Sequence, residues 1–280
     1  MVGAAPVRGL TPTASDLRFC PTCRVRGTRR PRREWYHWTV ELENVTLDAA
    51  DPGRLGRFWE DLVGGRRLTD EPDLVEIRLS PPGAPVVDLC LPRVPEPVPP
   101  RPRLHLDLRG GDEQDEVVAR ALELGARHLD IGQGGVPWVV LADPEGNPFC
   151  VMEDRPEYRA SGPVAALPLD CTDLRRDLPF WQAASGWEPA ESSMPAALRH
   201  PDGRGPLLEL CPTTTPKDPG TKNRMHLDTR CAPGEELDDA VARLVALGGR
   251  EVDPGWGDLP WRVLVDPSGN ELCVLPGRPA

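Results

Sequence analysis

Hydrophobic and polar positions along this chain alternate with a period of two in some stretches and near 3.6 in others, the signatures of strand and helix. Leu104, Leu106 and Leu108 fall on one face of an extended segment, with His105 and Asp107 on the other. A helical pattern follows, with Asp112 placed to cap it, Val117, Val118, Ala121 and Leu122 as its apolar stripe, and Gly125 at its end. Short strands are expected near 127–131, 137–142 and 148–153. The same order stands upstream: a strand over 42–48, a helix over 52–63 stopped by Gly64 and Gly65, and strands near 66–69, 74–79 and 86–91. Residues 36–155 thus read as βαβββ twice, joined by the proline-rich stretch 94–102.

The whole arrangement then recurs. PWVVLADPEGNPFCVM (137–152) returns as PWRVLVDPSGNELCVL (260–275), RLHLDLR (103–109) as RMHLDTR (224–230), and LDAADPGRLGRFW (47–59) as LDCTDLRRDLPFW (169–181). Three blocks in one order at nearly constant spacing mark tandem copies of one domain. The copies are placed at 36–155 and 163–277, after an Arg-rich tail over 1–35 that is expected to be disordered. Within the second copy the halves are joined by 212–223. Alternating strands and helices imply an α+β fold, a curved mixed sheet with helices on one face and an open concave face opposite. The Asp-Pro-x-Gly-Asn stretches at 143–147 and 266–270 read as hairpin turns.

Composition narrows the function classes. The chain has 280 residues and 35 prolines, well above the usual ~5%, which argues against a helical bundle. The net charge is −11, yet residues 1–34 carry eight Arg against two acids, a net of +6 that leaves −17 for the rest. An acidic body repels phosphate backbones, so no nucleic-acid partner is expected. No apolar run approaches the ~18 residues of a membrane span, and the first residues lack a secretory pattern. The expectation is a cytoplasmic protein, monomer or homodimer, whose partner is a small molecule and not a membrane. Eight cysteines are too few for a disulfide scaffold and read as reduced, mostly buried thiols, and Cys20 with Cys23 cannot alone close a zinc site. Eight of the fourteen aromatics are Trp. Trp59 and Trp181 read as core, while Trp138 and Trp261 suit either a core or an aromatic wall against a flat ligand.

On the paired βαβββ halves, the VVLADPEGNPFCVM and RVLVDPSGNELCVL stretches and the LHLDL and MHLDT strand starts, the chain resembles the vicinal oxygen chelate superfamily, in its glyoxalase-like, bleomycin-resistance-related branch. The resemblance implies two tandem glyoxalase-like domains, each of paired βαβββ modules forming a cup-like mixed sheet around a small-molecule cavity. Metal-dependent members hold a divalent ion there with His and Glu at four strand positions. The first falls near Asn44 and Ala166, the second on Asp88 and Glu209, and the third on His105 and His226. The fourth, a Glu in the metal enzymes, falls on Cys150 and Cys273. Two of four ligands are thereby lost, so no cofactor is expected, although zinc would accept imidazole, carboxylate and thiolate together.

The resulting expectation is binding or conversion of a small organic metabolite by metal-independent acid–base chemistry of the lyase or isomerase kind. His226 with Glu209, and His105 with Asp88, are the candidate catalytic pairs, with a structural tie across the sheet as the other reading of each. Trp138, Trp261, Arg224, Asn44, Cys150 and Cys273 are the candidate ligand contacts, the two Cys reading as small buried groups rather than nucleophiles. Each copy is expected to complete its own cavity, the second being preferred for its longer Glu209, its small Ala166 and an anion-holding Arg224. The alternative is a non-catalytic protein that sequesters a drug or natural product.

Overall fold

The computed structural model of the chain describes residues 40–80, 82–94 and 102–278; the Arg-rich tail and the Cys20–Cys23 pair lie outside them. Four βαβββ modules follow one another. The first is β1 (Val40–Leu47), α1 (Pro52–Val63), β2 (Arg66–Glu71), β3 (Leu74–Arg78) and β4 (Asp88–Pro92). The second is β5 (Leu106–Arg109), α2 (Gln114–Glu123), β6 (Arg127–His128), β7 (Val139–Ala142) and β8 (Pro148–Met152). The third is β9 (Val164–Cys171), α3 (Leu174–Ser185), β10 (Glu188–Pro189), β11 (Ala197–Arg199) and β12 (Leu207–Pro212). The fourth is β13 (Met225–Cys231), α4 (Leu237–Ala246), β14 (Arg250–Glu251), β15 (Arg262–Val265) and β16 (Glu271–Leu275).

Local chemistry sets the helix ends. Asp51 accepts from the Arg54 amide at 3.1 Å, Pro52 suits the first turn, and Gly64 closes α1 at φ +66°. The α2 start differs from the sequence expectation: Asp112 lies in a single 3-10 turn, Gly111–Glu113, and caps nothing. The Asp-Pro-x-Gly-Asn turns form as expected, with Gly146 at φ +87° and Gly269 at φ +85°.

The strands assemble into two eight-stranded mixed sheets, with orders β14-β15-β16-β13-β1-β4-β3-β2 and β10-β11-β12-β9-β5-β8-β7-β6. Each sheet therefore joins one module from each copy, the first with the fourth and the second with the third. Here the structure corrects the expectation that each copy completes its own cavity. The seams are antiparallel, β1 against β13 and β5 against β9. A repeat establishes that the four modules are alike, and any two like modules offer complementary first strands, so the repeat alone does not say which modules pair.

The α1 aromatics reach across to the other sheet: Trp59 packs on Phe149 of β8 at 5.1 Å between ring centroids and Phe58 at 6.1 Å. Trp59 and Trp181 are both buried, as core residues should be, and Trp181 Nε1 donates to Asp266 at 3.0 Å. No helix among the described residues is long and apolar enough to cross a membrane.

Candidate functional site

In the first sheet, alternation along β1, β4, β13 and β16 sends Asn44, Thr46, Asp228, His226 and Cys273 to one face. His226, Asp228 and Cys273 are all buried, and their donor atoms lie within 4.8 Å of one another. His226 Nε2 is 3.3 Å from Asp228 Oδ1 and 3.5 Å from Cys273 Sγ. The Asp228 contact has no hydrogen-bond geometry, and Asp228 Oδ1 takes no hydrogen bond at all. Its other oxygen is held by Thr46 Oγ1 at 2.8 Å and Asn44 Nδ2 at 3.4 Å. Trp256 lies over the His226 ring at 6.5 Å between centroids, with Lys222 Nζ 5.2 Å from the indole centroid. Asp88 is on this sheet too, but Arg78 grips both its oxygens at 2.9 Å. Asp88 is thus committed to a guanidinium and shares no sheet with His105, its expected partner.

The second sheet holds the counterpart set. His105 Nε2 is 3.2 Å from Asp107 Oδ1, and Cys150 completes a His-Asp-Cys group of the same kind. Opposite Asp107 and His105, however, stand Ala166 and Pro168, where the first sheet has Asn44 and Thr46. Nothing on that strand can donate to Asp107. Glu209 stands on this sheet, apart from His226, so that expected pair does not form. Its fate differs from that of Asp88 because the hairpin register differs. Arg78 is paired with Asp88, but Ala197 is paired with Glu209, and Arg199 falls two residues away. Arg199 turns instead to the Glu157 carbonyl at 2.6 Å and Ser161 Oγ at 3.2 Å.

Glu209 is left with hydroxyls: Ser192 Oγ donates at 2.7 Å, and Tyr158 OH is 3.3 Å from both oxygens. Burial raises the Glu209 carboxyl above the usual carboxylate value, the Asp107 charge adds to the rise, and the two hydroxyls only partly offset it. Burial pulls His105 down, but the Asp107 carboxylate beside it, with help from Asp170 and Glu209, leaves it raised overall. Both buried thiols are pushed up, Cys150 and Cys273 alike, first by burial and then by the neighbouring carboxylate. Neither is poised as a nucleophile.

Of the expected ligand contacts, Trp138 is half-buried against the apolar cluster containing Cys150, Tyr158 and Ala166, with the Arg155 guanidinium 5.7 Å from its ring centroid. Trp261 is half-buried, and its Nε1 makes no hydrogen bond. Arg224 is no anion holder. It pairs with Glu145 at 2.7 Å, and Glu145 in turn accepts from the Ala50 and Asp51 amides at 2.9 and 2.8 Å. Its guanidinium is used up in joining the two sheets. Asp107, Asp228, Thr46, Tyr158, Ser192 and Trp256 were not among the sequence candidates, although His-x-Asp on a strand already places both side chains on one face.

The four positions by which the metal-dependent relatives hold an ion do not fit one here. In the first sheet the first is an amide bound to Asp228 and the second is neutralised by Arg78; in the second sheet the first is Ala166. A family described as the glyoxalase-like domain matches residues 44–152 and again 166–275. Among solved structures, glyoxalase I from Zea mays is 16% identical, with 85% of this chain and 92% of that one covered and a TM-score of 0.57. A glyoxalase/bleomycin resistance protein/dioxygenase family enzyme from Burkholderia phytofirmans is 16% identical, covering 40% of this chain and 98% of its own, with a TM-score of 0.33. No curated protein sequence matches the chain.

Proposed function

The chain belongs to the glyoxalase-like domain family, and from that premise we propose that it converts a small organic molecule by proton transfer on the face of the second sheet that carries His105, Asp107 and Glu209. The observation that carries this reading is Glu209: a buried carboxylate hydrogen-bonded by hydroxyls and by no cation, raised by its surroundings, on the same sheet as an imidazole raised by Asp107. Groups whose pKa values are moved toward the working pH are the efficient acids and bases. Glu209, steadied by Tyr158 and Ser192, takes a proton from a carbon acid, and His105, kept basic by Asp107, supplies one to the oxygen that gains charge. Trp138 and the small Ala166 leave an apolar wall, and Arg155, 5.5 Å from the Tyr158 ring centroid, contributes positive charge near an anionic ligand. No step on this face calls for a metal.

A thermal-shift screen of small organic acids and carbonyl compounds, followed by NMR of each hit, tests the reading. A hit is expected to raise the melting temperature with or without EDTA, to be converted by the wild type, and to lose both effects in His105→Ala and Glu209→Gln. Binding without conversion in the wild type would reject catalysis and leave a sequestering protein.

A further inference from the structure

We propose that the stretch joining the two copies, residues 153–162, is a strap that gates the second sheet, with Tyr158 as its plug and Arg199 as its clasp; this rests on the reading of that sheet as the working face. Glu209 is 2% exposed and Tyr158 1%, so the carboxylate is closed to a ligand while the strap is down. Tyr158 completes the apolar cluster of Cys150, Met152, Ala166 and Leu207, and its hydroxyl lies against both Glu209 oxygens. Chemistry at Glu209 therefore requires that the ring be able to leave.

The sequence builds this stretch as a unit of its own. Pro156 opens a single 3-10 turn, Pro156–Tyr158, Asp154 pairs with Arg159 at 2.6 Å, and Gly162 at φ +86° turns the chain toward β9. Its amides bond inside it, Tyr158 to the Arg155 carbonyl and Ser161 to the Tyr158 carbonyl, both at 3.0 Å. A loop closed on itself in this way can lift as one body about its ends, the glycine absorbing the change of direction.

Side chains do most of the fastening. Arg199 Nη2 donates to the Glu157 carbonyl at 2.6 Å and to Ser161 Oγ at 3.2 Å. The Ser193 amide donates to Glu157 Oε1 at 3.1 Å, and Arg155 Nη1 donates to Ser193 Oγ at 3.2 Å. A backbone bond from Gly205 N to the Ala160 carbonyl, at 3.0 Å, adds to them. The clasp is held at a cost, since Arg199 Nε is buried without a partner and the acceptors of its guanidinium are neutral. The plug is held weakly: Tyr158 OH at 3.3 Å stands beyond the ~2.7–2.8 Å usual for O–H···O, whereas Ser192 holds Glu209 at 2.7 Å. Ser192 therefore keeps the carboxylate in place when the strap lifts. The register difference that denies Glu209 an arginine is also what frees Arg199 for the strap.

The Cys150 thiol reports the strap in the full chain. It is 7% exposed in the cluster that Tyr158 completes, and the charge that shifts it is that of Asp107, not Arg199. Cys171, 1% exposed in the main core, reports global unfolding. Iodoacetamide labelling at fixed pH is read thiol by thiol by peptide mass spectrometry. Cys150 is expected to label about 10- to 100-fold faster in Arg199→Gln, the factor carried by lost hydrogen bonds to a charged donor, with Cys171 unchanged. Glu157→Ala, which removes the acceptor of the Ser193 amide, takes over the comparison if Arg199→Gln does not fold. An organic acid or carbonyl compound that the wild type converts should bind the Arg199→Gln chain more tightly, because the open fraction sets its apparent affinity. Equal labelling of Cys150 in wild type and variants, acceleration of Cys171 along with it, or a converted compound that binds both chains alike overturns the strap. Conversion without a labelling difference rejects the strap and leaves the chemistry; a labelling difference without conversion keeps the strap and rejects the chemistry.

Discussion

Asp88 and Glu209 hold the same place in the sequence repeat, yet a two-residue difference in hairpin register gives one an arginine and the other only hydroxyls. The consequence is measurable in stability. Burial, as the largest effect, raises the folded-state value of Glu209 above the 4.5 of a free glutamate. A raised acid contributes stability that is complete below its unfolded value and is lost as pH rises through its folded value. Glu209→Gln removes that loss while keeping an oxygen that accepts from Ser192 and Tyr158. The variant and wild type should therefore melt alike below about pH 4, and the variant should gain on the wild type as pH rises through the folded-state value of Glu209, levelling off above it. Thermal melts across that range check it, and a constant gap would show that the carboxyl is not raised. His105 adds the complementary trend: raised above 6.5 beside Asp107, it contributes stability below that value and loses it as pH climbs through the folded one.

The helix α1 shows how much an element's own sequence specifies and where packing takes over. Its span was legible because Asp51, Pro52 and Gly64 are strong end signals. The α2 start was not, since Gly110 and Gly111 admit a 3-10 turn that shifts the helix past Asp112. Packing separates two glycines of α1 that look alike in sequence. A Cβ on Gly53 meets nothing nearer than 3.6 Å, whereas one on Gly56 would stand 2.6 Å from Val75 Cγ1 on β3. Gly53→Ala should stabilise by about 0.4–1 kcal/mol through lost unfolded-state entropy. Gly56→Ala should destabilise by about 1–3 kcal/mol despite the better helix former, because the core is overpacked. Denaturant unfolding of both distinguishes them, and equal shifts would contradict this account of the α1–β3 contact. The same limit applied to the site. The His-x-Asp face could be read from alternation, but the register that frees Glu209 could not, since Arg78 and Arg199 each precede their carboxylate by the same number of residues.

At the scale of the molecule, the repeat is visible in sequence while the exchange of modules is not, because identical spacing is compatible with pairing within or between copies. The exchange has physical support at both seams. Glu145 of the second module binds the α1 start of the first and Arg224 of the fourth; Arg103, ahead of β5, donates to Asn270 of the fourth at 2.7 Å and to the Asp170 carbonyl of the third at 3.1 Å. Thr172 and Ser268 add a further contact between α3 and the β15–β16 turn. Cutting the chain between the copies would leave β1 without β13 and β5 without β9, two open sheet edges in the middle of what had been eight strands. Residues 36–155 expressed alone should not persist as a folded monomer. Two such fragments can restore both seams, the first module of one against the second of the other, so a homodimer is the expected product. Sedimentation or light scattering decides the matter: a stable, cooperatively melting monomer of residues 36–155 would mean that each copy can close its own cavity after all. Mixing that fragment with residues 163–277 should instead yield a heterodimer that regains the melting temperature of the intact chain to within the entropy cost of a second association.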